Sequence, residues 1–187
     1  MTTPTKGNAI NVRVAYGWTG SDPRKDQRWL GIRAFLKIAA AEAEKTYRTK
    51  FKREPPRVDI RRLKASPGAF IQASIFKSIL LSDIVVADIS HRVRSKRSER
   101  PANVLLELGA ALANAPATRT FVLEDKPKKG LLDGVADLSG ILITSVEATP
   151  KTKAETRTQL LSEARDLRRS IVSELVRRMR ERESTTA

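Results

Sequence analysis

Two acidic residues stand where a carboxylate is costly. Glu107 lies in Val104–Leu105–Leu106–Glu107–Leu108–Gly109–Ala110–Ala111–Leu112, a run that is otherwise apolar. Burying an ionised carboxylate is unfavourable unless something satisfies it. Near a helix N-terminus the macrodipole favours the ionised form, and apolar surroundings favour the neutral one. Opposed pulls of this kind are what a nucleophilic or acid–base carboxylate exploits. A structural glutamate paired with an arginine from another element would account for the same residue. Asp88 closes the β-branched run Ile84–Val85–Val86–Ala87, and its turn Asp88–Ile89–Ser90 suits either a strand-end cap or a ligand contact. Two carboxylates on adjacent elements are the arrangement that cleaves glycosidic bonds.

Other residues gather around this pair. Asn103, four residues before Glu107, has the chemistry of a helix N-cap and would share its face. Gly109 leaves room for a backbone or ligand to approach. Tyr16–Gly17–Trp18 follows the first apolar run, where an aromatic ring can stack on a base or hydrogen-bond a sugar; Trp18 covering the edge of the core is the alternative. Gly17 and Gly20 do not make a dinucleotide fingerprint, and neither a phosphate loop nor Gly-x-Ser-x-Gly occurs. The chain has no cysteine and one histidine, His91. Thiol catalysis and disulfides are thereby excluded, and neither a metal nor a cofactor is expected.

The elements that must position these residues follow from periodicity. Alternation over 10–16 predicts a first strand. Asp22–Pro23 has the form of a helix start, and Trp29, Ile32, Leu36, Ala39, Ala43 and Tyr47 form a stripe to about residue 47. Residues 58–63 read as a second strand. Ser66–Pro67–Gly68 opens a second helix, with Phe70, Ile71, Ser74, Ile75, Ile79 and Leu80 facing inward. Residues 84–87 read as a strand buried on both faces. A charged loop over 91–102, a helix over 103–115 and strands over 120–123 and 140–146 follow. One long helix over 151–183 carries Leu160, Ala164, Leu167, Ile171, Leu175 and Met179. This order predicts a single α/β domain: a mostly parallel, five-stranded, doubly wound sheet, flavodoxin-like or Rossmann-like, with a core over about 9–148 and a long C-terminal helix. Ligands in such folds bind at the carboxyl ends of the strands, which is where Tyr16, Asp88 and the start of the Glu107 helix fall. Leu161, Val172 and Val176 broaden the last helix's stripe, and a homo-oligomer through that helix is expected.

The net charge of +15 is localised. Residues 45–64 carry +7 (nine basic, two acidic), 91–102 carry +4 (five basic, one acidic) and 151–187 carry +4 (ten basic, six acidic). Such patches attract phosphorylated molecules or nucleic acid, or simply keep the surface solvated. The N-terminus is polar and no stretch approaches a membrane span, so a soluble, cytoplasmic protein without a membrane partner is expected.

The segments Ser82–Asp83–Ile84–Val85–Val86–Ala87–Asp88–Ile89–Ser90 and Asn103–Val104–Leu105–Leu106–Glu107–Leu108–Gly109–Ala110–Ala111–Leu112 resemble the signature of nucleoside 2-deoxyribosyltransferase-like proteins, shared with the TIR-like nucleotide-binding domains of bacteria. Leu131–Leu132–Asp133–Gly134–Val135–Ala136–Asp137–Leu138 is similar to that family's closing segment. The resemblance implies N-glycosidic chemistry on a nucleotide, nucleoside or NAD-like molecule. It implies that Glu107 attacks or stabilises the anomeric carbon, that Asp88 contacts the sugar or assists protonation, and that Asn103 orients the loop or a sugar hydroxyl. Tyr16, Gly17, Trp18, Ser90, Asn103 and Gly109 are the substrate-binding candidates. The loop over 91–102 is longer and more basic than the family's, which makes Arg92, Arg94 and Arg97 candidate phosphate contacts. A TIR-like module that binds a nucleotide or signal without turnover, and that associates with nucleic acid through its basic segments, is the alternative.

Overall fold

The computed structural model describes residues 9–16, 26–63, 71–90, 92–94, 97–99, 102–114, 119–125, 142–146 and 152–184. In chain order these form β1 (Ile10–Tyr16), α1 (Gln27–Phe51), β2 (Val58–Arg62), α2 (Ile71–Leu80), β3 (Ile84–Asp88), β4 (Arg92–Arg94), β5 (Arg97–Glu99), α3 (Ala102–Asn114), β6 (Thr120–Asp125), β7 (Leu142–Val146), α4 (Lys153–Glu163) and α5 (Arg165–Ser184).

The main sheet has the order β2-β1-β3-β6-β7, and every pairing in it is parallel. With the short β4–β5 pair set aside, this is the 2-1-3-4-5 order of a flavodoxin-like sheet, whose topological switch lies between its first and third strands. Tyr16 and Asp88 are register partners across that switch.

Each face of the sheet has its own apolar layer. Val12, Val14, Tyr16, Ile84, Val86, Phe121 and Leu123 pack with α1, α4 and α5. Ala15, Val85, Ala87 and Val122 pack with α2 and α3. β3 is buried along its whole length, as its unbroken β-branched run requires. All six residues of the expected α1 stripe are buried, and so is Arg28.

α1 starts later than expected. Its N-cap is Asp26, whose carboxylate accepts a hydrogen bond from the Trp29 amide; Asp22–Pro23 lies outside the described residues. The helix runs one turn past residue 47 and stops at Lys52, which is left-handed at φ 56°, shortly before Pro55–Pro56. The expected start of α2 at Ser66–Pro67–Gly68 also lies outside the described residues. On α2, Leu80 is 61% exposed, and Phe76 takes the inward place beside Ile75 and Ile79. The charged segment over 91–102 holds an antiparallel pair, Arg92↔Glu99 and Arg94↔Arg97, rather than a plain loop.

The C-terminal segment is two helices. A capping box of Thr152 and Glu155 starts α4, and Ala164 breaks the ladder at φ −102°, ψ 39°. At 1.5 Å per residue an unbroken helix would run roughly 48 Å, against roughly 38 Å for α1. The break lets both pieces pack on α1. Leu160, Ala164, Leu167, Ile171, Leu175 and Met179 all enter the core, with Leu161, Val172 and Val176 packed partly against it. The breadth of the stripe is therefore used inside the molecule. Among the described residues the exposed large apolar side chains are Leu80, Leu81, Leu105 and Leu106, on α2 and its end and on α3.

Where α1 crosses α4, Gly31 makes the approach possible. A methyl group there would sit 2.4 Å from Thr156 Cβ, far inside van der Waals contact.

Candidate active site at the sheet switch point

The carboxyl ends of β1, β2 and β3 place four polar groups around the switch point. On the α1 face, Asp88 has no solvent exposure. Its Oδ2 accepts from Arg28 Nε at 2.8 Å and its Oδ1 from Arg28 Nη2 at 3.0 Å. The same Nη2 donates to the Ser90 hydroxyl, and the Ser90 amide donates to Asp88 Oδ1 at 3.3 Å. This is a bidentate, fully buried pair of the kind that fixes geometry. A carboxylate whose two oxygens both accept N–H donors is poorly placed to offer a proton. Its strand-end geometry fits a role in holding the edge of the site rather than in protonating a leaving base. Ser90 belongs to the same buried lock.

Tyr16 is also committed. Its hydroxyl donates to Asp26 Oδ1 at 2.7 Å, the oxygen that caps α1 through the Trp29 amide at 3.1 Å. Its ring packs 6.1 Å from that of Trp29, and it is 5% exposed. The ring fastens the end of β1 to the start of α1, and stacking on a base is not the work this geometry gives it. Gly17 and Trp18 lie outside the described residues.

On the opposite face α3 presents Val104, Glu107, Leu108 and Ala111 inward, beside the small side chains Ala15 and Ala87. Glu107 is 6% exposed. Burial pushes its carboxyl up from 4.5 to about 7, against the opposing field of the Arg62 guanidinium. The pull predicted from an apolar helix is therefore the one that wins. Asn103 is not the N-cap, because α3 already includes Ala102, and its side chain is exposed. Gly109 is exposed too, two residues from Glu107 and so on the far side of the helix. Apart from its chain neighbours and the backbone of its own helix, nothing described lies within 4 Å of where its Cβ would be. Neither of these two joins Glu107 on the inward face of α3.

Arg62 ends β2. Its guanidinium lies 5.5 Å from the centre of the Tyr16 ring, and its Nη1 is buried with no hydrogen-bond partner among the described residues. Glu124, at the end of β6, is buried as well, and strand alternation puts it on the α3 side with Val122. Arg92, Arg94 and Arg97 have a backbone register, and their side chains lie outside what is described. Among the described residues no cluster of three His, Cys, Asp or Glu side chains is placed to hold a metal ion.

No family model matches the chain, and no curated protein does. Among solved structures the chain is similar to the metal-soaked Flv1 flavodiiron core from Synechocystis sp. PCC6803, at 14% identity and a TM-score of 0.47, over 94% of this chain and 37% of that one. It is also similar to the flavodiiron protein from Giardia intestinalis, at 12% identity and a TM-score of 0.32, over 90% of this chain and 37% of that one. The chain thus spans little more than a third of either. At these values the two likenesses say nothing about what it binds or catalyses.

Arg28, Arg62 and Glu124 were not among the sequence candidates. A signal existed for the first two. Arg28 shares the helical stripe of Ile32, Phe35 and Ala39, and Arg62 continues the inward alternation of Val58 and Ile60.

Proposed function

We propose that this protein cleaves the N-glycosidic bond of a nucleotide or NAD-like molecule, with Glu107 as the reacting carboxyl group. The observation that carries the proposal is a buried glutamate at the carboxyl edge of a switch-point sheet, with its ionisation moved to about 7. A group that titrates near neutrality can both give and take a proton under working conditions. With a nucleotide, protonated Glu107 donates to the leaving base as the C1′–N bond breaks; nicotinamide leaves NAD already neutral, so there the Glu107 carboxylate takes only the proton of the attacking water. Water then adds to the anomeric carbon, and its proton returns to the Glu107 carboxylate. Asp88, fixed by Arg28 and Ser90, keeps the edge of the site in shape. The resemblance of the Asp88 and Glu107 segments to deoxyribosyltransferase-like proteins supports N-glycosidic chemistry at Glu107, although it gives that residue the part of attacking or stabilising the anomeric carbon. A free base as acceptor in place of water would make the reaction a transfer.

The test is chromatographic detection of free base from nucleotides, nucleosides and NAD. Base release is expected from the wild type and its loss from Glu107→Gln; turnover unchanged in that variant sinks the assignment. The locked state of Asp88 favours a second reading, a nucleotide-binding module that does not turn over. Saturable protection against thermal unfolding with no base released would select it.

A further inference from the structure

We propose that Arg62 is the anion anchor of this site, holding a phosphate group of the substrate. The inference rests on the glycosidic reading of the site and narrows its substrate to nucleoside phosphates.

The neighbours of Arg62 make it conspicuous. Arg61, the next residue on the strand, pairs with Asp59 at 2.9 Å, and Arg13 on β1 pairs with the same carboxylate at 3.3 Å. Arg28 has Asp88. Arg62 forms no ion pair with a described residue; its guanidinium rests near the Tyr16 ring and keeps a buried, unpartnered Nη1. A buried donor left unsatisfied is unfavourable; Arg119 and Arg178 also keep such a nitrogen, but of the three only Arg62 lies at the carboxyl end of a sheet strand. The planar guanidinium fork matches a phosphate in shape and charge.

The local charge points the same way. Asp88 is neutralised by Arg28, so the positive charge of Arg62 is not balanced by that carboxylate. Glu107 feels this charge as a field that opposes its protonation. A phosphate seated on Arg62 would cancel that field, so a phosphorylated substrate would bring its own proton donor into the protonated state. An uncharged nucleoside would leave both the donor unsatisfied and the field intact. Arg62 therefore selects nucleotides over nucleosides and arms Glu107 when one binds.

The experiment titrates the full-length protein with inorganic phosphate, a panel of ribo- and deoxynucleoside 5′-monophosphates, and the matching nucleosides, by calorimetry. Wild type, Arg62→Gln, Arg62→Lys and Arg61→Gln are compared. At least one monophosphate should bind wild type tenfold or more tightly than its nucleoside. Arg62→Gln should remove that preference, Arg62→Lys should retain part of it, and Arg61→Gln, an equal loss of charge on the exposed face, should keep it. The proposal is overturned if nucleoside and monophosphate bind wild type alike, if no monophosphate binds, or if Arg61→Gln weakens binding as much as Arg62→Gln. A wild type that binds nucleoside and monophosphate alike overturns the proposal even if a variant fails to fold. Base release is followed separately. Arg62-dependent binding without base release removes the glycosidic reading and leaves the anchor; base release that ignores both the phosphate and Arg62 does the reverse.

Discussion

In the proposed reaction Glu107 sets function against stability, and the conflict is measurable. Its carboxyl titrates near 7 in the folded chain and at 4.5 when exposed. Between these values the folded state binds more protons than the unfolded one, so stability falls as pH rises through that window. The stabilisation is complete below about 4.5 and is lost above about 7. A shift of this size corresponds to about 3 kcal/mol. Glu107→Gln keeps the shape without the charge, so it should unfold at higher urea than wild type at pH 8, by about 1–3 kcal/mol, with the gap closing near pH 4. The same variant should release no base. A variant destabilised at pH 8 would mean that an unseen partner holds the carboxylate ionised. In wild type, base release should decline above about pH 7 as the proton donor is lost; a rate that instead rises to a plateau there would make Glu107 a nucleophile. Arg28 is the opposite kind of residue. Arg28→Met takes both guanidinium hydrogen bonds from the buried Asp88 carboxylate, which costs about 3–5 kcal/mol, read from denaturant unfolding. Glu107 was legible because a lone carboxylate interrupts an apolar helix. Arg28 was legible only in part: its place on the inward stripe of α1 marks it for burial, but nothing in the sequence says that Asp88 is the carboxylate it meets.

At the level of elements, the sequence displays faces well and ends poorly. The inward stripes of α1 and of α4–α5 follow from apolar spacing, since burial is a property of the face. The break at Ala164 is invisible in composition, because no proline or glycine marks it. It arises from the length of α1 on which both pieces must lie. The β4–β5 pair is equally hidden, being short and charged where strands are normally β-branched. The α1–α4 crossing depends on Gly31 facing Thr156. Gly31→Ala should overpack it and cost about 1–3 kcal/mol, lowering the thermal midpoint. Thr156→Gly removes the obstructing Cβ, so the double variant should be more stable than the sum of the two single losses predicts. Strict additivity would show that the crossing relaxes without regard to this contact.

For the whole molecule, the +15 charge acts at two depths. Some of the basic side chains are locally balanced: Arg48 with Glu54, Arg53 with Glu183, and Arg177 and the buried Arg178 with Glu174 and Glu181. Exposed pairs such as the first are worth little and leave a diffuse positive field. That field should bind nucleic acid without sequence preference, by displacing counterions. With three or four phosphates engaged, affinity for a labelled duplex should fall roughly a hundredfold between 50 and 200 mM salt, as read by fluorescence anisotropy. Arg62 is different because part of its guanidinium is buried, and partly buried charges are screened much less than exposed ones. Nucleotide binding at the sheet edge should therefore weaken far less over the same range. If the two affinities fell in parallel, the nucleotide would be held by the outer field and the switch-point edge would not be its site.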